Sequence, residues 1–351
     1  MSRWSCAALV SCATLACGAA FAGAPLEGDA LLVRAPSEVV LLAGARCGDA
    51  LLAVGEHGVI VRSTDGGVSW QQARRVPTRV TLTGVDCADG AVGWSTGHQG
   101  TVLATVDGGL TWTAQFDGRR AAQAILAQAE AEGQEQAIAQ ARRLVQDGPD
   151  KPLFDVRALG PRDALVIGAY NLAFRTRDGG IHWEPLSHRL DNPRQSHLNA
   201  MAVAGRTVLI AGEQGLVLRS DDGGESFVRQ VLPYQGSFFA AELLDTDTAL
   251  VAGMRGQAWL TRDGGRRWTP LEGAPPVSFI AAVRHGPDTL WLLNQAGQLF
   301  AFERGAERLI ALPAGVPAPA TGLIAAGTRG PVHAMSARGI AALDTTTEST
   351  R

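Results

Sequence analysis

A short motif recurs five times in this chain, and its spacing constrains the fold more than any other feature. It reads Ser or Thr, one variable residue, Asp-Gly-Gly, two variable residues, and then Trp or Phe. Its aspartates lie 42, 71, 44 and 41 residues apart, at Asp65, Asp107, Asp178, Asp222 and Asp263. A period in the low forties is the length of one four-stranded propeller blade.

A second motif precedes each copy of the first and extends the repeat to seven units. These four-residue segments, which we call tetrads, are 55–58, 97–100, 168–171, 212–215, 253–256, 294–297 and 336–339. Their last residues are 42, 71, 44, 41, 41 and 42 apart, so the phase persists in the last two units, which lack the aspartate motif. We therefore predict an all-β fold: a seven-bladed β-propeller of four-stranded antiparallel blades.

Each unit contains four short runs rich in β-branched and apolar residues, bounded by glycine-rich turns. In the second unit these runs predict strands over 82–85, 91–96, 101–105 and 111–115. The ring must also close, because a closed ring leaves only short, protected strand edges. Residues 30–33 precede the first complete unit and could add a strand to the seventh.

One spacing is too long by about 28 residues, which indicates an insertion near 118–150, between units 2 and 3. Residues 121–145 are rich in Ala, Gln, Glu and Arg, and this composition predicts helix. Gly133 could divide the segment into two helices. The apolar residues of the insertion need a partner surface, either the propeller itself or another protein.

The N-terminus has the pattern of a secretory signal peptide. Arg3 precedes an uncharged, small and apolar run over 5–21, which ends in Ala20-Phe21-Ala22. We predict that residues 1–22 are removed and that 23–351 form a single propeller in the periplasm or an equivalent lumen. An uncleaved anchor and a lipid-attached Cys12 are the alternatives. Since no later stretch of 18 apolar residues occurs, no membrane span is expected in the mature chain.

Cleavage would leave two cysteines, Cys47 and Cys87, near equivalent points of adjacent units. An even number in an oxidising compartment is compatible with one disulfide. The alternative is that both are small apolar core residues.

The repeated aspartates are predicted to be structural. A carboxylate before Gly-Gly can accept backbone N–H groups within a tight turn, and the glycines tolerate positive φ. The pattern resembles the Asp-box, or BNR, repeat of sialidases and other secreted propellers, in which the box is structural. Asp65, Asp107, Asp178, Asp222 and Asp263 are thus not read as catalytic acids.

Composition and missing motifs exclude several classes of protein. A net charge of −3 makes strong binding to nucleic acid improbable, and 46% hydrophobic residues exclude a disordered chain. The seven histidines show no close metal-ligand spacing, although His57 and His98 occupy adjacent units, and no Cys-x-x-Cys or phosphate-binding loop occurs. We expect no metal, no cofactor and no catalytic residues.

Candidate binding residues lie where the repeat is broken. In a propeller, the turn between the second and third strands of each blade opens on the same face as the linkers between blades, and we call this face the top. Residues there that vary between units are the candidates for function. They are His57, His98, Tyr170, Asn171, Asn192, His197, Asn199, Glu213, Tyr234, Ser237, Phe238 and Arg255.

Some of these candidates also have structural interpretations. Tyr234 and Phe238 could anchor a partner or line the upper core. His197 could contact a ligand or form a buried hydrogen-bonded pair with Asn199. Glu213 and Arg255, on adjacent units, could simply pair as ions.

The non-repeating pieces, in their order on this repeat, resemble the photosystem II stability/assembly factor-like propeller family of bacteria and plastids. They are Gly93-Trp94-Ser95-Thr96-Gly97-His98-Gln99-Gly100, the Asp-Gly-Gly-x-x-Trp boxes, Asp191-Asn192, His197-Leu198-Asn199 and Tyr234-Gln235-Gly236-Ser237-Phe238-Phe239. The resemblance covers roughly residues 30–339. It implies a seven-bladed, non-enzymatic propeller that helps to assemble a membrane protein complex from the lumenal side.

The long insertion departs from the plain family pattern, so we expect a membrane partner other than photosystem II, such as an exporter of the resistance-nodulation-division class. We expect a monomer. Two alternatives stay open: a propeller that binds carbohydrate or another small ligand on the top face, and a sialidase-type glycosidase. The glycosidase would need an arginine cluster, an acid and a tyrosine nucleophile, for which Tyr170 with Glu213 is the best available pair.

Overall fold

The computed structural model describes residues 28–327 and 330–343. The predicted signal peptide at 1–22 and the alternative lipid site at Cys12 lie outside the described residues. The described chain forms seven antiparallel sheets, one after another, with two helices inserted after the second. The predicted seven-bladed propeller is confirmed.

The strands follow the chain from the inner to the outer edge of each blade. Blades 1 and 2 contain β1 (Leu41–Cys47), β2 (Ala50–Gly55), β3 (Ile60–Ser63), β4 (Gln71–Gln72), β5 (Leu82–Cys87), β6 (Gly93–Gly97), β7 (Val102–Thr105) and β8 (Thr113–Phe116). Blades 3 and 4 contain β9 (Leu153–Gly160), β10 (Asp163–Gly168), β11 (Ala173–Thr176), β12 (Glu184–Pro185), β13 (Leu198–Ala204), β14 (Thr207–Gly212), β15 (Val217–Ser220) and β16 (Val228–Arg229).

Blades 5 to 7 complete the ring. They contain β17 (Phe238–Leu243), β18 (Ala249–Gly253), β19 (Ala258–Thr261), β20 (Thr269–Leu271), β21 (Phe279–Arg284), β22 (Thr289–Asn294), β23 (Gln298–Glu303), β24 (Ile310–Gly315), β25 (Ala320–Ala325), β26 (Val332–Ser336) and β27 (Gly339–Leu343). The strands predicted for unit 2 are confirmed with boundaries that differ by at most two residues.

The core lies between blades rather than at one centre. Every residue of β2, Ala-Leu-Leu-Ala-Val-Gly, is buried, because each middle strand has another blade on both of its faces. Between blades 1 and 2, for example, Leu52 and Ile60 share one cluster with Leu82 and Trp112. Such layers repeat around the ring, and Leu41 of β1 meets Ile324 of β25 where the ring closes.

The prediction that residues 30–33 add a strand to blade 7 is wrong. The backbone of this segment is held by blade 1: the amides of Ala30 and Leu31 donate to the carbonyls of Val76 and His57 at 2.8 and 3.1 Å. The amide of Val33 donates to Oε1 of Gln72 at 3.0 Å. Among the described residues, blade 7 therefore has three strands.

A disulfide links blades 1 and 2. Sγ of Cys47 lies 2.08 Å from Sγ of Cys87, and their Cα atoms are 5.3 Å apart. These residues end β1 and β5, the two inner strands, at the face opposite the tetrads. The bridge thus fixes two neighbouring inner strands to each other.

The insertion is a helical hairpin of α1 (Gly118–Glu132) and α2 (Glu135–Asp147). The Asp117 side chain caps α1 by accepting from two backbone amides, and Gly133 ends it with φ +70, a left-handed geometry that suits glycine. Ile125 and Leu144 pack against the cluster shared by blades 2 and 3. Of the two alternatives, packing on the propeller itself is correct. No helix in the described part is both long and apolar enough to cross a membrane.

The aspartate motif binds its own turn. In blade 2, the amide and hydroxyl of Thr111 donate to the two oxygens of Asp107 at 2.9 and 2.5 Å. The Thr105 hydroxyl donates to Oδ1 of Asp107 at 2.8 Å and accepts from the amide of Gly109 at 3.0 Å. Partial burial raises the pKa of Asp107, but these hydrogen bonds outweigh it and hold the pKa below its usual range.

We expect Asp107→Ala to lower the free energy of unfolding by about 1 kcal/mol at pH 7, because it removes the acceptor for the turn. The pKa of Asp107 is lower in the folded than in the unfolded chain, so its contribution is complete above the unfolded pKa and is lost as the pH falls below about 4. Urea unfolding at pH 7 and pH 3 measures this. The exposed Asp191→Ala is the control, and equal losses for the two variants would contradict the structural role.

Candidate functional site

The tetrads and the linkers between blades share the top face. In each tetrad, the amide of the second residue donates to the carbonyl just before the inner strand of the same blade, as from Glu213 to His197 at 3.1 Å and from Met254 to Ser237 at 2.9 Å. In the first five tetrads the third residue has a positive φ: His57, Gln99, Tyr170, Gln214 and Arg255. Because this geometry repeats, it serves the turn, while the variable side chains set the chemistry of the face.

The predicted site residues fall into three groups by exposure. The exposed ones are His57, His98, Tyr170 and Arg255; the half-buried ones are His197, Asn199, Glu213, Tyr234 and Ser237; the buried ones are Asn171, Asn192 and Phe238. The first two groups can contact a partner without rearrangement.

The structure brings three predicted residues together, and we call them the Tyr170 cluster: Tyr170, His197 and Glu213. The rings of Tyr170 and His197 meet edge to face with centroids 4.7 Å apart, although Tyr170 is 55% exposed. Nδ1 of His197 lies 3.6 Å from Oε1 of Glu213, and the His197 amide donates to Oε2 at 3.0 Å. Nζ of Lys151 lies 5.8 Å from the Tyr170 ring centroid. An exposed aromatic is thus fixed on the top face.

A groove of about 650 Å³ lies beside this cluster, between the helical hairpin and blade 3. Its apolar lining includes Ile125, Ala129, Leu144, Leu172 and Pro185, and Tyr170 lies at its edge. We call it the hairpin groove. Sequence reasoning did not find it, because it exists only where α1 and α2 dock; the one available signal was that the insertion directly precedes blade 3.

Polar contacts hold the two helices over the groove. Nε2 of Gln128 on α1 lies 2.7 Å from Nδ1 of His188, in the linker after blade 3. Gln195, in the same linker, donates to Oε1 of Gln140 on α2 at 3.4 Å. The hairpin is therefore tied to the propeller on both sides of an apolar floor, a form typical of small-molecule and peptide sites.

Phe238 does not reach the top surface. Its side chain is 0% exposed, and the ring of Tyr234 packs on it with centroids 5.2 Å apart. The Tyr234 hydroxyl donates to the carbonyl of Met254 at 3.1 Å. Of the two interpretations given for Phe238, its burial favours the upper core between blades 4 and 5. Tyr234 is half-buried, and its contact with a partner stays a prediction.

Asn171 and Asn192 shape a linker rather than contact solvent. Nδ2 of Asn192 donates to Oδ1 of Asn171 at 2.9 Å and to the carbonyl of Ser196 at 2.8 Å. Nδ2 of Asn171 donates to the carbonyl of Ser187 at 3.1 Å. Both side chains are buried and hold the linker that carries His188 and Gln195 beside the groove. Asn171 also lines that groove. Their role in partner contact stays a prediction.

Two predicted pairings also differ in the structure. Asn199 does not bind His197; its Nδ2 donates to the carbonyl of Phe238 at 2.8 Å. Glu213 pairs with His197 rather than with Arg255, whose amide donates to Oγ of Ser278 at 3.3 Å. Asn199 therefore joins the inner strands of blades 4 and 5. Within 28–327 and 330–343, no group of three His, Cys, Asp or Glu side chains is placed to hold a metal ion.

Sequence reasoning also missed a charged channel along the propeller axis. This cavity of about 570 Å³ is lined by the inner strands of the blades. Oδ2 of Asp86 accepts from the amide of Ala158 at 2.9 Å, and Oδ2 of Asp155 accepts from the amide of Met201 at 2.7 Å. Each carboxylate thus accepts a hydrogen bond from a backbone amide on the inner strand of the next blade. Burial raises the pKa of both, partly offset by the nearby Arg157.

Glu242, in the same channel, makes no such bond across to the next blade among the described residues. Burial raises its pKa to about 7, although Arg157 acts to lower it. A carboxyl with a raised pKa in the folded state favours folding at low pH, and stability is lost as the pH rises from the unfolded pKa through about 7.

We therefore compare the free energy of unfolding of Glu242→Gln with that of the wild type. Relative to the wild type, the variant should become more stable by roughly 1–3 kcal/mol as the pH rises from 4.5 to 8. The neutral amide avoids the cost of ionising a buried carboxyl. Urea unfolding at the two pH values measures the difference. The exposed Glu303→Gln should show no such pH dependence. If the difference in stability between Glu242→Gln and the wild type did not change with pH, the raised pKa of Glu242 would be contradicted.

Comparison with known proteins gives a partial family match. A family model described as photosynthesis system II assembly factor YCF48 matches residues 136–273, which is less than half of the chain. The photosystem II assembly lipoprotein Ycf48 of Synechococcus sp. (strain CC9902) is 32% identical over 78 residues, which are 22% of this chain and 23% of that protein. The match thus spans about a quarter of that relative.

Solved structures match almost the whole chain at low identity. YCF48 bound to D1 peptide has a TM-score of 0.64 and 16% identity, covering 90% of this chain and 96% of that one. YCF48 from Cyanidioschyzon merolae has a TM-score of 0.64 and 14% identity, covering 89% and 97%. At such identities the likeness shows the fold alone. Together with the sequence matches, it confirms the resemblance to the photosystem II assembly factor-like propeller family.

Proposed function

We propose that this protein is a non-enzymatic assembly or stability factor that acts in the periplasm on a membrane protein complex. The named relatives are photosystem II assembly factors, and one solved relative is bound to a peptide. The family match over 136–273 includes α2 and blades 3 to 5, and so contains the Tyr170 cluster and much of the hairpin groove. This overlap supports the top face around blade 3 as the binding surface.

The hairpin groove is the observation that carries the proposal. Its floor is apolar, its edge carries the exposed ring of Tyr170, and polar groups of Gln128 and Gln140 border it. Protein-binding sites combine a small apolar centre, an aromatic anchor and a polar rim in this way. A peptide segment of the partner would place an apolar side chain on the floor and lie against Tyr170.

The contacts of Tyr170 argue against a glycosidase. A tyrosine nucleophile needs a carboxylate that takes its proton. In the described part of the chain no carboxylate hydrogen-bonds to the Tyr170 hydroxyl, and the carboxylate of Glu213 is engaged by His197. The cluster presents an aromatic ring rather than an activated oxygen.

The partner that we propose is a membrane complex other than photosystem II, such as a resistance-nodulation-division exporter. The hairpin insertion supports this choice, since it adds one wall to the binding groove, and its first helix lies outside the family match. A partner that uses this wall would differ from one that binds a bare propeller face. Monomeric protein with one groove would bind one copy of its target.

We expect Ala137→Trp to block partner capture, because Ala137 lines the hairpin groove and an indole would fill it. Ala139→Trp is the matched control, since Ala139 is an exposed residue of the same helix outside the groove lining. Tagged proteins are cross-linked in the native envelope and the captured proteins are quantified by mass spectrometry. We expect at least about tenfold less capture for Ala137→Trp, with unchanged Tm for both.

Equal capture by the two folded variants would refute the groove as the binding site. Capture of no membrane protein by the wild type would refute the assembly-factor proposal itself. Specific binding in a glycan array, with no captured protein, would then support the carbohydrate alternative.

A further inference from the structure

A buried histidine lies where the ring closes. His333 belongs to β26, the middle strand of blade 7, and it is only 1% exposed. By the phase of the tetrads, the equivalent position in the six other blades is occupied by buried apolar residues, which are Leu52, Trp94, Leu165, Leu209, Leu250 and Trp291. Blade 7 thus carries an ionisable side chain at a position that is otherwise apolar.

The imidazole of His333 packs on the aspartate turn of blade 1. A Cβ atom on Gly67 would collide with Nε2 of His333, so the ring fills the space that a side chain at Gly67 would need. The ring also meets that of Trp70 edge to face, with centroids 6.1 Å apart. Leu52 makes the same contact with Gly109 between blades 1 and 2. His333 therefore replaces an apolar side chain in a contact that joins neighbouring blades.

No charged group of the described chain compensates a proton on His333. Within 28–327 and 330–343, its Nδ1 has no hydrogen-bond partner. The charged side chains of the elements around it are Glu38, Arg46, Asp49, Arg62, Asp65 and Arg338. None of these contributes to the pKa of His333, which burial lowers although a hydrogen bond with the Gly67 backbone acts to raise it. The neutral imidazole fits this site, and the protonated one would be a buried, unpaired charge.

The interface between blades 7 and 1, which we call the seam, joins segments from opposite ends of the described chain. The Thr321 hydroxyl donates to the carbonyl of Leu41, 280 residues away, and Ile324 and Met335 pack in one apolar cluster with Leu41. The disulfide lies on the other side of blade 1, towards blade 2. A charge in the seam would therefore act on an apolar layer that no described covalent bond crosses.

We propose that the seam is a pH-sensitive joint, in which protonation of His333 loosens blade 7 from blade 1 and leaves the interfaces between the other blades closed. The protonated ring gains water and loses an apolar surrounding when blade 7 moves away from Gly67. Loss of the proton restores the neutral ring, and the seam closes again. This inference does not depend on the hairpin groove, which lies beside blade 3.

The direction of the response follows from the burial of His333. The pKa of this imidazole is lower in the closed seam than in an open one, where water reaches the ring and its pKa is about 6.5. The open seam therefore binds the proton more readily, and opening becomes more favourable as the pH falls below about 6.5. For one proton and a neutral ring in the closed seam, the equilibrium constant of opening should rise about tenfold from pH 7.5 to 5.5.

The test follows hydrogen exchange in the full-length mature protein at pH 7.5 and 5.5, corrected for the intrinsic effect of pH on amide exchange. We expect protection of residues 332–336 and 65–70, on the two sides of the seam, to fall about tenfold at the lower pH. Residues 50–55 and 107–112 occupy the equivalent places between blades 1 and 2 and should keep their protection. An equal fall in all four segments would overturn the proposal, because the whole ring would then be responding.

His333→Leu should abolish the response, because leucine occupies the equivalent position in four other blades. His333→Gln, which is neutral at both pH values, is the second variant and should also show no response. His285→Leu is the matched control: burial lowers the pKa of His285 too, but its ring packs on Trp291 of blade 6, with centroids 4.0 Å apart. This control should keep the response of the seam. A response that persists in both His333 variants, or a wild type without one, would refute the joint.

Discussion

Each blade of this ring is buried only because its neighbours cover it. The sheets have apolar side chains on both faces, so no blade can exist alone, and the apolar layers between them form one continuous circular core. The aspartate turns maintain this packing from the periphery. In the first two units the turn also binds its own aromatic residue: the Trp70 indole donates to the Gly67 carbonyl and the Trp112 indole to the Gly109 carbonyl. The ring of Trp112 lies between blades 1 and 2.

The inner strands pose a separate problem, which polar side chains solve. The innermost strand of every blade has one edge without a partner strand, and its backbone groups must still be hydrogen-bonded. Thr83 donates to the carbonyl of Leu153, and Thr321 donates to the carbonyl of Leu41 where the ring closes, both at 2.6 Å. Asp86 and Asp155 in turn accept hydrogen bonds from backbone amides of the next blade. The carboxylates of Asp86 and Asp155 on the axis therefore serve to bind the inner strands. Among the described residues, Glu242 makes no such bond to the next blade.

Departures from the repeat are where specific chemistry can reside. The hairpin of α1 and α2 turns one side of the top face into a groove, and the linker that carries His188 and Gln195 supports it. Among the residues that the structure describes, blade 7 departs in the opposite sense, with three strands where the other blades have four. The hairpin creates a concave surface that lies outside the elements that hold the ring together.

The sequence alone determined the number of blades, the strands of the repeat, the turn role of the aspartates and the position of the helical insertion, because each is encoded within one repeat of about forty residues. Long-range packing decided the rest. Phe238 could be a surface anchor or a core residue by its sequence, and only the packing of neighbouring blades shows that it is enclosed. The contact between Tyr170 and His197 and the hairpin groove depend on how neighbouring units pack against each other, and no pattern within one unit carries that information.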